Sequence, residues 1–403
     1  MPLGKAKILK YVAGSGIFLL LVCFFFFINK NTILEESYSY IERVKDVISL
    51  SPEEKKDPTK TEAVIISVGD IFMHDTNINS GYDKTTKKYN FDSVFEVTKK
   101  YFQEADVSTT WLGATYSPKG PYLGYPLFKS PVELIDTLQN IGLDVAFRTN
   151  HTMDFGVKGL NETSAILKEH QINQVAGYSS EAESKQIYIY QKNDLKIAFL
   201  GYIYGMNGLP IPEPWMINLI EMNKIKDDII KAKTQADFVV VGLHYGTEYE
   251  RFPNKWQKEV AQQVADAGAD MIIASHPHVI QTVDELITTD GRKVFVAYGL
   301  GNFYCGQRFK YTDAGVILRY VIEKDGATTS LKEVKYIPTW VAEYREQGKL
   351  KYQVLPSKKF IDLYDKREAA FLSVANYNRL KQTYQETVEH LDKPEIGFVE
   401  YQD

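Results

Sequence analysis

The sequence predicts an α/β fold on three observations. Short runs rich in Val and Ile alternate with longer amphipathic stretches. Polar residues gather where the runs end. An apolar content of 44% and a charged content of 25% are those of a globular chain. At 403 residues the chain has room for one large domain with extras or two ordinary ones.

The apolar runs are Ala63–Val68, Asp144–Phe147, Ile197–Gly201, Phe238–Gly242, Met271–Ala274 and Val294–Tyr298. Between them, Pro131–Ile141, Val157–His170, Met222–Ala236 and Asn254–Ala267 carry a helical period. Such near-continuous runs belong to strands covered on both faces. Ala314–Glu323 and Ser330–Ile337 read as a late antiparallel pair. Residues 358–391 carry a weaker helical period.

Residues 11–28, "YVAGSGIFLLLVCFFFFI", hold no charge, and as a helix they would span about 27 Å, close to the apolar thickness of a bilayer. Lys5, Lys7 and Lys10 precede them, and Glu35 and Glu36 follow. The positive-inside rule then predicts a single-pass cell-membrane anchor, with residues 1–10 cytoplasmic and the main domain extracellular. The alternative is a cleaved signal peptide, but no small-residue cleavage site follows Ile28. Residues 29–61, with "SPEEKKDPTKTE", read as a charged stalk. The main domain is expected over 62–340 and a helical appendage over 341–403. A net charge of −5 gives no argument for nucleic acid. Cys23 and Cys305 lie too far apart in sequence and context to suggest a disulfide or a cysteine-based zinc site.

Five of the seven histidines fall just after strand-like runs. Asp70 closes "AVIISVGD", with His74 close behind; Asn150 and His151 close "DVAFRTNH", followed by Asp154. His244 closes "FVVVGLH", with Glu248 after it; His276 and His278 follow "DMIIAS"; Asn302 closes "VFVAYGLGN". His170 and His390 read as surface residues on helices. Ligands bind outside the carboxyl ends of strands in α/β sheets. Imidazoles with Asp and Asn oxygens in one small space suit Mn, Fe or Zn, one ion or two, better than a Ca or Mg cage. If the chain past the strand stays extended, His276 and His278 project the same way, and Pro277 favours that geometry. Taken singly, each of these residues reads equally well as structural: Asp154 as a helix N-terminal residue, Glu248 as a solvated charge.

In order and spacing, "VGDIF", "NHTMDFGVKGLNET", "HYGTEY", "AGADMIIASHPHVIQ" and "YGLGNF" resemble the CapA family of poly-γ-glutamate capsule proteins. The resemblance implies a calcineurin-like metallophosphoesterase sandwich, two sheets flanked by helices. It implies Asp70, Asn150, His244, His276 and His278 as metal ligands, His151 as general acid and Asp154 as its orienting partner. His74, Glu248 and Asn302 are possible additions. The chain departs from the pattern at Trp111 and Gly113, where the family usually has Asn-x-Glu. Two functions follow. One is a membrane-anchored component of capsule polymer synthesis or export, with a polyanion such as poly-γ-glutamate and membrane-bound synthase subunits as partners. The other is a cell-surface metal-dependent phosphoesterase. A scaffold with no metal is the third, plainer reading.

Overall fold

The computed structural model describes residues 60–402. The expected anchor at 11–28 and nearly all of the stalk lie outside the described residues. Among the described residues no helix is long and apolar enough to cross a membrane.

Two mixed sheets pack face to face. The first contains β1 (Lys60–Ile71), β2 (Val107–Leu112), β3 (Val145–Arg148) and β4 (Asn173–Val175), all parallel. The second is built from β5 (Tyr188–Lys192), β6 (Leu195–Ile203), β7 (Phe238–His244), β8 (Met271–Ser275), β9 (Val283–Ile287) and β10 (Lys293–Ala297). Its order is β9-β10-β8-β7-β6-β5, with the central four strands parallel. The chain then returns to the first sheet. β11 (Asn302–Tyr304) pairs with the end of β1, and β12 (Ala314–Asp325), β13 (Thr328–Glu346) and β14 (Lys349–Pro356) extend its other side antiparallel. Helices α1 (Glu133–Ile141) and α2 (Gly156–Glu169) belong to the first half of the chain, α3 (Met222–Lys233) and α4 (Lys255–Asp266) to the second sheet, and α5 (Ser357–Asp365) and α6 (Val374–Leu391) to the C-terminal region.

The hydrophobic pattern sets this layering. In β7, "FVVVGLH", every residue is buried. Phe238 and Val240 join Ile65, Val107 and Phe199 between the sheets. Val239, Val241 and Leu243 point the other way, onto Ile225 and Ile229 of α3 and Val260 and Val264 of α4. A strand with period 2 and two apolar faces needs a layer on each side. The sheets approach closely near their carboxyl ends. A Cβ on Gly242 would meet Phe147 Cε1 at 2.4 Å, so the ring of β3 fills the space that a side chain on β7 would need. A Cβ on Gly69 would stand 1.8 Å from the Gly301 carbonyl oxygen. That crossing brings "VGD" and "GLGN" together and lets the Asp70 amide donate to Gly301 at 3.0 Å.

The apolar runs do not announce β2, β4, β5 or β9, and one expected element is overturned. Residues 341–356, expected to open a helical appendage, continue the first sheet as the end of β13 and as β14. β13 pairs along its length with β12 and β14, and this pairing satisfies its backbone. Only from Ser357 does the C-terminal region turn helical.

Candidate metal centre

The carboxyl ends of strands from both sheets meet at one place. Asp70 ends β1, Asn150 follows β3, His244 ends β7, His276 and His278 follow β8, and Asn302 begins β11. All six are buried. Both facing sheets of the sandwich contribute to the convergence.

Asp70 is 1% exposed, and neither carboxylate oxygen has a hydrogen bond. Oδ2 stands 3.4 Å from His278 Nδ1 and Oδ1 stands 3.9 Å from His244 Nδ1. On the other side of its ring, His244 Nε2 lies 3.0 Å from Asn150 Oδ1. Asn150 Nδ2 donates to Tyr204 Oη at 3.2 Å and to Asn207 Oδ1 at 3.0 Å, which identifies Oδ1 as the acceptor facing His244. Nε2 therefore carries the His244 proton. Burial, then the nearby imidazoles, holds His244 well below its ordinary pKa, so Nδ1 is a bare lone pair. It faces a bare carboxylate oxygen, and no donor lies between them.

His276 and His278 come together differently from the extended geometry expected for them. Their φ angles are +115° and +59°, in the left-handed range, and the segment after Ser275 is a tight turn. The rings still lie 5.9 Å apart, and His276 is 5.0 Å from His244. Positive φ at such residues costs about 1–3 kcal/mol each and persists only where the surroundings enforce it. Burial, then the His278 and His151 charges, pushes His276 down to about 3. Burial acts the same way on His278, but Asp70 outweighs it and the net shift is upward.

Glu248 is exposed, yet one of its oxygens and one nitrogen each of His276 and His278 lie within 4.8 Å of one another. The plain reading of Glu248 as a solvated charge gives way to a place at the mouth of the cluster. Asn302 is not at a rim. It is 0% exposed; its Oδ1 lies 3.1 Å from His278 Nδ1 and its Nδ2 donates to the His278 carbonyl at 3.1 Å, so it clamps that residue from behind. His74 packs between Phe72 and Phe128, with ring distances of 5.3 and 5.4 Å. Its Nδ1 is buried without a partner, and burial drops its pKa to about 4.

His151 stands at the edge, its side chain 14% exposed, with Nδ1 2.8 Å from Asp154 Oδ2. The same oxygen accepts from the Phe128 amide at 2.7 Å, and the Phe128 ring meets His151 edge-on at 4.7 Å. Asp154 thus fixes the imidazole with Nδ1 protonated and Nε2 turned away from the carboxylate. At the two departures, Trp111 stacks on Phe147 at 4.6 Å and lies 5.4 Å from His244, walling the cluster with an apolar face. A Cβ on Gly113 would stand 3.2 Å from Phe72 Cβ.

The strand-end candidates do not include Tyr204 and Asn207, which hold Asn150. Tyr204 also lies 4.5 Å from the His276 ring. Both follow the end of β6, and the strand-end signal that found the histidines applies to them as well. Arg148 was missed too. It is 0% exposed; one nitrogen donates to the Ala114 carbonyl at 3.2 Å while Nε and the other have no partner.

The donor set suits a divalent transition ion. Two buried imidazoles are already neutral near pH 7, and buried acceptors with no donor point at one another, an arrangement costing several kcal/mol without a cation.

A family model described as bacterial capsule synthesis protein matches residues 64–307, more than half of the chain. The chain belongs to this family. The matched span carries every residue of the cluster and ends before β12. Similar curated proteins include the PGA biosynthesis protein CapA of Bacillus subtilis, 28% identical over 268 residues, 64% of this chain and 67% of that protein. The capsule biosynthesis protein CapA of Bacillus anthracis is 29% identical over 201 residues, 48% of each. The chain thus spans about half the length of the second relative. Solved structures similar to this capsule-family chain include the NAD nucleotidase of Haemophilus influenzae, at TM-score 0.46 and 14% identity, over 81% of this chain and 67% of that one. A calcineurin-like phosphoesterase of Bacillus subtilis aligns at TM-score 0.41 and 14% identity, over 82% and 98%.

Proposed function

We propose that this protein is a membrane-anchored, outward-facing component of poly-γ-glutamate capsule synthesis or export, built on a calcineurin-like sandwich whose His, Asp, Asn and Glu cluster holds one or two divalent ions. Asp70, Asn150, His244, His276, His278 and Glu248 would hold the metal. Residues 11–28 would be the anchor, and membrane-bound synthase subunits the partners. The names of the curated relatives support the capsule role. One observation carries the metal site: the Asp70 carboxylate, 1% exposed and without a hydrogen bond, faces imidazole nitrogens.

When bound, Mn, Fe or Zn supplies concentrated positive charge and Lewis acidity that recognise carboxylate or phosphate oxygens. The chain's own residues do the rest. Trp111 excludes water on the side of His244. Glu248, Tyr204 and Tyr249 border the opening, so an extended polyanion meets the cluster at its rim. Tyr249 lies 6.2 Å from His278 and 5.4 Å from the exposed ring of Phe309.

The second reading, a cell-surface phosphoesterase, is favoured by the His151–Asp154 pair. A mostly buried imidazole at the edge of the cluster, held at 2.8 Å by a buried carboxylate, can deliver a proton to a leaving oxygen. Metal analysis of the purified full-length protein, with poly-γ-glutamate retention and phosphoester turnover measured side by side, separates the two. Near-stoichiometric metal and metal-dependent retention without turnover support the first. Turnover abolished by His151→Ala supports the second. A protein that binds no transition metal at all overturns both.

A further inference from the structure

Glu248 is the exposed member of the cluster, and the loop that carries it is strained. Gly246 and Tyr249 both have positive φ, +118° and +66°. For tyrosine that conformation is unfavourable and must be imposed from outside. Three sets of contacts impose it. Toward the cluster, the Tyr249 amide donates to the Pro277 carbonyl at 2.8 Å, tying the loop to the His276–Pro277–His278 turn. Beneath it, the buried Gln281 donates to the Glu250 carbonyl at 2.8 Å, and its own oxygen accepts from Gln257 at 2.8 Å.

The third set comes from α6, beyond the family-matched span. Arg251 donates to the Glu386 carbonyl at 2.8 Å, its guanidinium 4.3 Å over the Tyr311 ring. His390 Nε2 lies 3.0 Å from the Arg251 carbonyl and, facing an oxygen that can only accept, is the donor. Its ring meets Phe252 edge-on at 5.2 Å. Burial, then the Arg251 charge, drops its pKa to about 4, in keeping with a neutral ring. His390, expected as a surface residue on a helix, does lie on a helix but is only partly exposed and is bonded to the loop. Helix α6 is itself pinned to the body of the domain: Arg379 clamps the buried Asp313 at 2.9 and 2.7 Å.

We propose that α6 is a strut that presents Glu248 to the metal cluster, with Arg251 and His390 as positioning residues. This rests on the metal-binding reading above. The helix holds the Arg251 carbonyl and guanidinium and the Phe252 ring, while the Tyr249 amide ties the same loop to the histidine segment. Ligand geometry at the cluster thus depends on a helix that the family motifs do not include.

The test uses full-length protein loaded with Co(II), read by calorimetric affinity and by the visible spectrum of the bound ion. Glu248→Gln is expected to weaken binding about tenfold and to change the spectrum. His390→Ala and Arg251→Ala are expected to weaken binding by up to about tenfold and shift the spectrum in the same direction. His390→Gln, which keeps an N–H donor, is expected to restore most of the affinity. In the Glu248→Gln background, His390→Ala should add nothing further. If Glu248→Gln matters but His390→Ala and Arg251→Ala leave affinity and spectrum unchanged, or act additively with it, the strut is refuted while the metal site stands. If Glu248→Gln leaves Co(II) binding untouched, Glu248 is no ligand and the strut is refuted; if the wild type binds no Co(II), the metal-binding reading beneath it fails. If His390→Ala does not fold, Arg251→Ala and His390→Gln carry the same comparison.

Discussion

Two buried aspartates in this chain have opposite surroundings. Asp313 is 5% exposed and its carboxylate is saturated: Trp340 Nε1 donates at 2.9 Å, and Arg379 donates through Nε at 2.9 Å and a terminal nitrogen at 2.7 Å. Asp70 is as deeply buried and receives no hydrogen bond. Burying a charge is costly in either place. Protein groups answer that cost completely at Asp313, which makes it a structural joint between β13 and α6. At Asp70 the nearest groups are the bare Nδ1 of His244 at 3.9 Å and the His278 ring at 3.4 Å, which Asp70 shifts toward its protonated form, and in the proposed reading a divalent cation completes the answer. Burial alone does not distinguish a joint from a site; the partners do.

The contrast can be broken most forcefully at Arg379. Arg379→Met leaves Asp313 buried without its cation, and it should lower unfolding free energy by about 3 kcal/mol in chemical denaturation, with or without metal. Metal addition tests the other aspartate. At a free concentration of about 100 times Kd, Mn or Zn should stabilise the wild type and Arg379→Met alike by about 2.7 kcal/mol, and Asp70→Asn far less, as read from thermal melts. Stabilisation that survives Asp70→Asn breaks the contrast.

Acid titration sharpens the contrast further. Burial depresses both His244 and His276, the latter to about 3. Between an unfolded value near 6.5 and the folded one, the unfolded chain binds more protons. Metal-free stability should therefore be full above about pH 6.5 and decline as the pH falls toward 3. The decline should be shallower in His276→Gln, measured by denaturant midpoints at each pH. The smallest effect is expected for Asp70→Asn without metal. Removing a buried charge that no hydrogen bond answers should raise stability by about 1 kcal/mol, opposite in sign to the loss at Arg379.

Much of this was legible in the chain. "FVVVGLH" and "DMIIAS" announce strands because buried strands need apolar residues on both faces. His244, Asn150 and Asp70 announce a site because polar residues at strand ends have few structural uses in common. The His151–Asp154 pair is what the family resemblance implies, and the structure places the two groups 2.8 Å apart. Glu248 and Asn302 were harder to read. A Glu in "GTEYER" is indistinguishable from a solvated charge until the loop folds back onto Pro277. Asn302 looks peripheral until β11 pairs with β1 and carries it under His278. The turn at His276–Pro277–His278 ran against expectation, because Pro277 favours extension and only tertiary contacts impose positive φ.

By itself, the sequence determined the layers and the chemical types at the strand ends. Apolar period and strand-end position are local properties, written residue by residue. Tertiary structure alone decided that the ends of both sheets meet in one cluster and that Asp70 is left without a hydrogen bond. It also decided that β14 extends the sheet and that a helix outside the family motifs holds the Glu248 loop. Each of these depends on distant segments meeting, and the free energy of such meetings is shared across many residues and written in none of them singly.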